Sequence, residues 1–145
     1  MATFDKTTSA IQTAWNNGLQ VKSWTIDIDD MINNEGLVTL DDIRLMAVPD
    51  GQGLVCVAGT VEVVRAATGT TCTVDFGING GVEFDGATSV KSTAGTIALF
   101  DTYAAPVLYS NTSGATTYVT LEPTLDTVTD GGKVTVTMAF FKVGN

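Results

Sequence analysis

Strict two-residue alternation constrains this chain more than anything else in it. In Thr71-Cys72-Thr73-Val74-Asp75-Phe76-Gly77-Ile78 an apolar side chain falls at every second position. Successive side chains of a strand point to opposite faces, so such a segment fits a half-buried strand and not a helix. Comparable Val/Thr/Gly-rich runs recur from Val21 onward, separated by turn residues. Val21–Asp29 reads as a strand with Trp24, Ile26 and Ile28 on one face, ended by Asn33-Asn34-Glu35-Gly36. Leu37–Val48 holds one or two strands with a kink at Asp41-Asp42, and Pro49-Asp50-Gly51-Gln52-Gly53 is a turn.

In Leu54–Ala66 the residues Val55, Val57, Val61 and Val63 alternate with smaller or polar ones. Thr71–Ile78 is expected to pair back onto this strand across Ala66-Ala67-Thr68-Gly69-Thr70, placing Cys72 opposite Val64 and away from Cys56. Asn79-Gly80 carries the signal of a tight turn that needs positive φ. Val82–Phe84 is a further short strand, Asp85–Gly95 a polar loop and Thr96–Phe100 a strand. Leu108–Tyr109 should pair with Thr116–Leu121 around Asn111-Thr112-Ser113-Gly114, and Lys133–Val143 should be the longest strand. About eight or nine short strands at this spacing mean an all-β fold, an antiparallel β-sandwich or jelly-roll-like barrel.

Residues 1–20 follow another grammar. Thr7-Thr8-Ser9 can cap a short helix, Ile11 and Trp15 are spaced i,i+4, and Asn17-Gly18 ends it. One or two helical turns are marginal alone, so Trp15 needs a surface, either the domain's own flank or a neighbouring subunit. The chain thus divides into an N-terminal arm or short helix, 1–20, and a β-sandwich domain, 21–145. Deleting residues 1–18 is expected to leave that domain folded.

Histidine is absent, which removes the commonest general base and metal ligand and excludes Ser-His-Asp and Cys-His catalysis. Glu62, Glu83 and Glu122 could supply a glycosidase-type carboxylate pair, but nothing places two of them across a cleft. We therefore expect no enzyme, no cofactor and no catalytic residue. Asp27-Ile28-Asp29-Asp30 with Asn33, Asn34 and Glu35 invites a calcium reading, yet the EF-hand glycine would fall at Ile32, so a solvated strand end is favoured and no metal is expected. Trp15, Trp24, Tyr103, Tyr109 and Tyr118 are read as core or interface anchors before a sugar-stacking platform.

Sixteen acids oppose seven bases, a net charge of −9, and the bases are scattered singly. That balance argues against nucleic acid and anionic membranes as partners. No apolar stretch is long enough to span a bilayer, and Met1–Lys6 lacks the basic and apolar regions of a secretion signal. Synthesis in a cytoplasm is expected, with Cys56 and Cys72 as buried free thiols.

From Leu37 onward the order of features resembles a family of small virion proteins of tailed bacteriophages, similar to head decoration (cement) proteins. The string runs Asp42-Ile43-Arg44-Leu45-Met46-Ala47-Val48-Pro49, Gly51–Gly53, Leu54–Val64, then Ala66-Ala67-Thr68-Gly69-Thr70-Thr71. Val74-Asp75-Phe76-Gly77, Phe84-Asp85-Gly86, Tyr118-Val119-Thr120-Leu121 and Gly132-Lys133-Val134-Thr135-Val136 complete it. The resemblance spans roughly two-thirds of the chain, and residues 1–20 have no counterpart in it. It implies a structural protein on the outer capsid surface, made in the host cytoplasm, that binds the major capsid protein and joins neighbouring capsomers, commonly as a homotrimer. The arm residues Phe4, Ile11 and Trp15 are the candidate capsid or subunit contacts. Other readings are a different virion component (head fibre base, connector or tail protein) and a glycan-binding β-sandwich module.

Overall fold

The computed structural model describes residues 2–7, 18–100 and 106–144. Among them, ten strands form two sheets packed face to face. The first sheet has the order β1 (Thr3–Asp5), β3 (Asp42–Val48), β9 (Thr117–Asp126), β5 (Thr71–Ile78) and β6 (Asp85–Ser89). The second has β2 (Leu19–Asp27), β10 (Lys133–Gly144), β4 (Gln52–Arg65) and β7 (Ile97–Leu99), with β8 (Val107–Ser110) also on β4. All pairings are antiparallel except β1 with β3. Between β2 and β3 lie a helical turn, α1 (Ile28–Asp30), and a π-helical turn (Met31–Glu35) closed by Gly36 at φ 78°. The expected β-sandwich is what forms; the sheets do not close into a barrel.

Alternation buries one face of each sheet. Trp24, Ile26, Val134, Val136, Met138 and Phe140 from the second sheet meet Ile43, Leu45, Val74, Phe76, Val119 and Leu121 from the first. Phe76 is the aromatic centre, with ring centroids 5.6 Å from Phe84 and 4.9 Å from Phe100. Phe100 fits because residue 59 is glycine: a Cβ there would lie 2.0 Å from its ring.

Several expected pairings give way to others. β5 does not return onto β4; it joins β9, with Cys72 opposite Leu125, while β4 belongs to the other sheet. The loop after β4 therefore crosses between sheets. Likewise β8 pairs with β4, not with β9, and Asn111 ties the crossing by donating Nδ2–H to Val48 O at 2.8 Å. A five-residue connection satisfies a hairpin and a sheet-to-sheet crossing equally, so local sequence does not choose. The strand expected at Val82–Phe84 lies instead at Asp85–Ser89, and β4, at 14 residues, exceeds β10, at 12.

The uniform alternation expected in β4 also breaks. Ala139 pairs with Ala58 but Phe140 with Cys56, so Val57 is an extra residue, a β-bulge. It switches the buried set from Leu54 and Cys56 to Val61 and Val63, leaving Val57 exposed.

Residues 3–5 of the arm form a strand of the first sheet. Phe4 is half-buried against the core, Ala2 N–H donates to Asp41 Oδ1 (2.7 Å), and Lys6 N–H donates to Arg44 O (2.8 Å). Ile11 and Trp15 lie outside the described residues.

Candidate interaction surface

The outer face of the second sheet departs from what a solvated face requires. At the start of β2 polarity is inverted: Leu19 and Val21 point to solvent, 55% and 63% exposed, while Gln20 and Lys22 are buried. The Lys22 ammonium sits 3.6 Å from Met46 Sδ and 5.9 Å from the Phe140 ring centre, and burial, then Lys142, pushes its pKa down. Register continues the apolar strip across four strands. Leu19 faces Phe141, Phe141 faces Val55, and Val55 faces Leu108. Phe141 and Leu108 are exposed, and Val57 at the bulge lies alongside. No charged residue stands in that row. The next rows turn polar, with Ser23 Oγ bonded to Thr137 Oγ1 (2.7 Å) and Thr25 Oγ1 to Thr135 Oγ1 (3.0 Å).

Chemistry is scarce elsewhere. Glu62 lies on the second sheet, opposite Thr135 and Ile97, whereas Glu122 belongs to the first, so the two sit in different layers of the sandwich. Glu83 Oε2 accepts the Ile78 N–H at 2.8 Å. Glu122 lies beside Asp42 and Asp75; burial first, then a hydrogen bond to and the charge of Asp42, then Asp75, raise its pKa to about 7. A cleft lined by Lys6, Ile26, Asp27, Met31 and Glu35 encloses about 210 Å³ and is bridged by the Lys6–Glu35 ion pair at 3.0 Å. That is below the roughly 300 Å³ at which small-ligand sites begin.

The acidic stretch after β2 is occupied internally. Asp27 caps α1 by accepting the Asp30 N–H and pairs with Arg65 at 2.9 Å, while Asp29 accepts the Gly131 N–H at 3.0 Å. Among the described residues no three His, Cys, Asp or Glu side chains are arranged so that they could hold a metal ion. Cys56 and Cys72 are free and buried, and burial pushes both thiols up to about 11.

Of the aromatics, Trp24 is a core residue at 1% exposure. Tyr109 is fixed through its hydroxyl to Thr117 Oγ1 (2.8 Å), and Tyr118 lies under the Arg44 guanidinium at 3.9 Å. Trp15 and Tyr103 lie outside the described residues. The apolar strip escaped sequence reading because its members come from four strands spread over the whole chain. The inverted Leu19-Gln20-Val21-Lys22 start of β2 was its only local signal.

No protein-family model and no curated protein matches the sequence. Two solved structures share the fold. A chain of the capsid of Ralstonia phage GP4 aligns with a TM-score of 0.65 at 15% identity, covering 99% of this chain and 100% of that one. A chain of the cyanophage Pam1 capsid asymmetric unit aligns with a TM-score of 0.54 at 18% identity, covering 92% and 94%. The sandwich fold is therefore shared over nearly the whole chain.

Proposed function

We propose that the protein is a structural component of a phage virion, and specifically a decoration (cement) protein on the outside of the head that stabilises neighbouring capsomers. The observation that carries this reading is the uncharged apolar strip Leu19–Phe141–Val55–Leu108, on a fold shared over almost its full length with chains of two phage capsids. An exposed, contiguous apolar face marks an interaction site. Its inverted polarity in β2 means that folding alone does not explain it.

In this reading the strip seats on the major capsid protein. Phe4 anchors the arm to β3, and Ile11 and Trp15 beyond it provide contacts to the lattice or to a neighbouring copy. A trimer placing three weak contacts on one lattice point would gain avidity of ~10²–10⁴ over a single contact. Binding only the expanded lattice would then stabilise that state by mass action.

The test is co-sedimentation with expanded heads lacking the protein, followed by electron cryo-microscopy of the decorated particles. Wild type is expected to pellet with heads and appear as knobs at three-fold or quasi-three-fold positions. Leu108→Lys and Phe141→Lys should stay in the supernatant with unchanged melting. Density confined to the tail or neck would overturn decoration in favour of another virion component. Failure to bind any particle, with glycan binding instead, would overturn the virion reading.

A further inference from the structure

On the outer face of the first sheet, three carboxylates occupy one row across three strands. Asp75 of β5 pairs directly with Glu122 of β9, and the pairing of Ile43 with Leu121 brings Asp42 of β3 to the other side of Glu122. Like charges placed opposite each other destabilise a sheet. The expected remedy is a cation, and the row has none in place. Arg44, the next outward residue on β3, lies over the Tyr118 ring at 3.9 Å and beside Asp5, its partner on β1.

Two of the surrounding acids are satisfied by backbone donors. Asp75 Oδ1 accepts the Ala87 N–H at 2.6 Å, and Glu83 Oε2 accepts that of Ile78. Asp42 Oδ1 differs: it is buried and no N–H or hydroxyl reaches it. A buried acceptor without a donor is costly. The neighbour in reach is Glu122 itself. Glu122 Oε2 and Asp42 Oδ1 lie 2.7 and 2.8 Å from one point, the position a Cβ on Gly80 would take. The turn above them is built to come this close. Asn79 and Gly80 adopt φ of 48° and 81°, Gly80 N–H donates to Thr120 Oγ1 (2.7 Å), and Asn79 N–H to Tyr118 O (2.9 Å).

We propose that Glu122 and Asp42 share one proton across the β3–β9 seam, making the seam and the Asn79–Gly80 turn above it a pH-responsive clasp. The shared proton supplies the donor that Asp42 Oδ1 lacks and removes one charge from the row. The direction of the Glu122 pKa agrees, since burial and the two flanking aspartates hold it up, to about 7. The sign follows from linkage. A carboxyl raised in the folded state binds more protons than the unfolded chain above its ordinary 4.5, so its stabilisation is full in acid and is lost as pH rises through the folded value. Near neutral pH the clasp opens as Glu122 ionises against Asp42 and Asp75.

The experiment is thermal melting across pH for wild type and Glu122→Gln, with a carbon-13 titration of the Glu122 carboxyl in the wild type. Wild-type Tm is expected to fall by a few degrees between about pH 5 and about pH 8. Glu122→Gln should hold Tm level through that window, because its amide donates to Asp42 Oδ1 at every pH. The wild-type carboxyl should titrate well above the ordinary glutamate range. A variant with the same slope as wild type, or a Glu122 carboxyl titrating near its ordinary value, overturns the shared proton. The titration decides the matter even if the variant folds poorly.

Discussion

At the scale of single residues, Trp24 shows why burial outranks side-chain type in assigning a role. An aromatic on a strand suits a sugar platform or a core, and 1% exposure assigns this one to the core. Its indole Nε1 is buried without a hydrogen-bond partner, so the side chain brings a large apolar area and one unsatisfied donor. These effects oppose each other, and area dominates: losing a core Trp for Ala costs about 3–5 kcal/mol, against roughly 1–3 kcal/mol for one unpaired polar group. We predict that Trp24→Ala lowers stability by about 3–5 kcal/mol, while Trp24→Phe stays within about 1.5 kcal/mol because the orphan donor leaves with the lost volume. Urea unfolding of both variants checks this. Equal losses would show that the indole N–H is satisfied in solution.

At the scale of elements, β1 changes what an N-terminal deletion should do. An arm with no role in the core could be removed freely, but Ala2 N–H donates to a carboxylate oxygen of Asp41, a residue only 1% exposed. Half-burial of Phe4 and the backbone hydrogen bonds that pair β1 with β3, including Lys6 N–H to Arg44 O and Asp42 N–H to Ala2 O, are together largely offset by the entropy of ordering the six residues that carry them. The orphaned Asp41 oxygen therefore decides the outcome. Deleting residues 2–7 should cost about 1–3 kcal/mol, or roughly 2–4 °C in Tm for each kcal/mol. Combined with Asp41→Asn, the loss should be less than additive, which a double-mutant cycle in thermal melting measures. Additive losses would place the cost in Phe4 instead. Most strands in the sandwich were legible because alternation is written locally, as in Thr71–Ile78. Their partners were not. Cys72 lies opposite Leu125, far along the chain, and the Val57 bulge is visible only as a register shift against Ala139 and Phe140. The same limit hid both surface features, since Asp42 meets Glu122, and Leu19 meets Phe141, only through register.

At the scale of the whole molecule, the two buried thiols offer a measure of how tightly the sandwich is closed and of what attachment adds. Cys56 faces the core from the second sheet and Cys72 from the first, and burial raises both to about 11, so neither is exposed nor appreciably ionised at neutral pH. The thiolate is the reactive form, which makes labelling of the closed state negligible. Modification must then pass through opening of the fold, and its rate is scaled by the open population wherever closing outpaces reaction. We predict that a disulfide reagent labels Cys56 and Cys72 together, at one slow rate that rises with urea as the stability falls. If the protein seats on a head lattice through the Leu19–Leu108 strip, the bound molecule opens less often. Labelling should then slow by the factor one plus the ratio of free binding sites to Kd, roughly a hundredfold when sites exceed Kd a hundredfold. Leu108→Lys should abolish that protection and leave the rate of the free protein unchanged. Separate rates for the two cysteines would instead mean that the sheets open independently, and protection that survives Leu108→Lys would move the docking face off the second sheet.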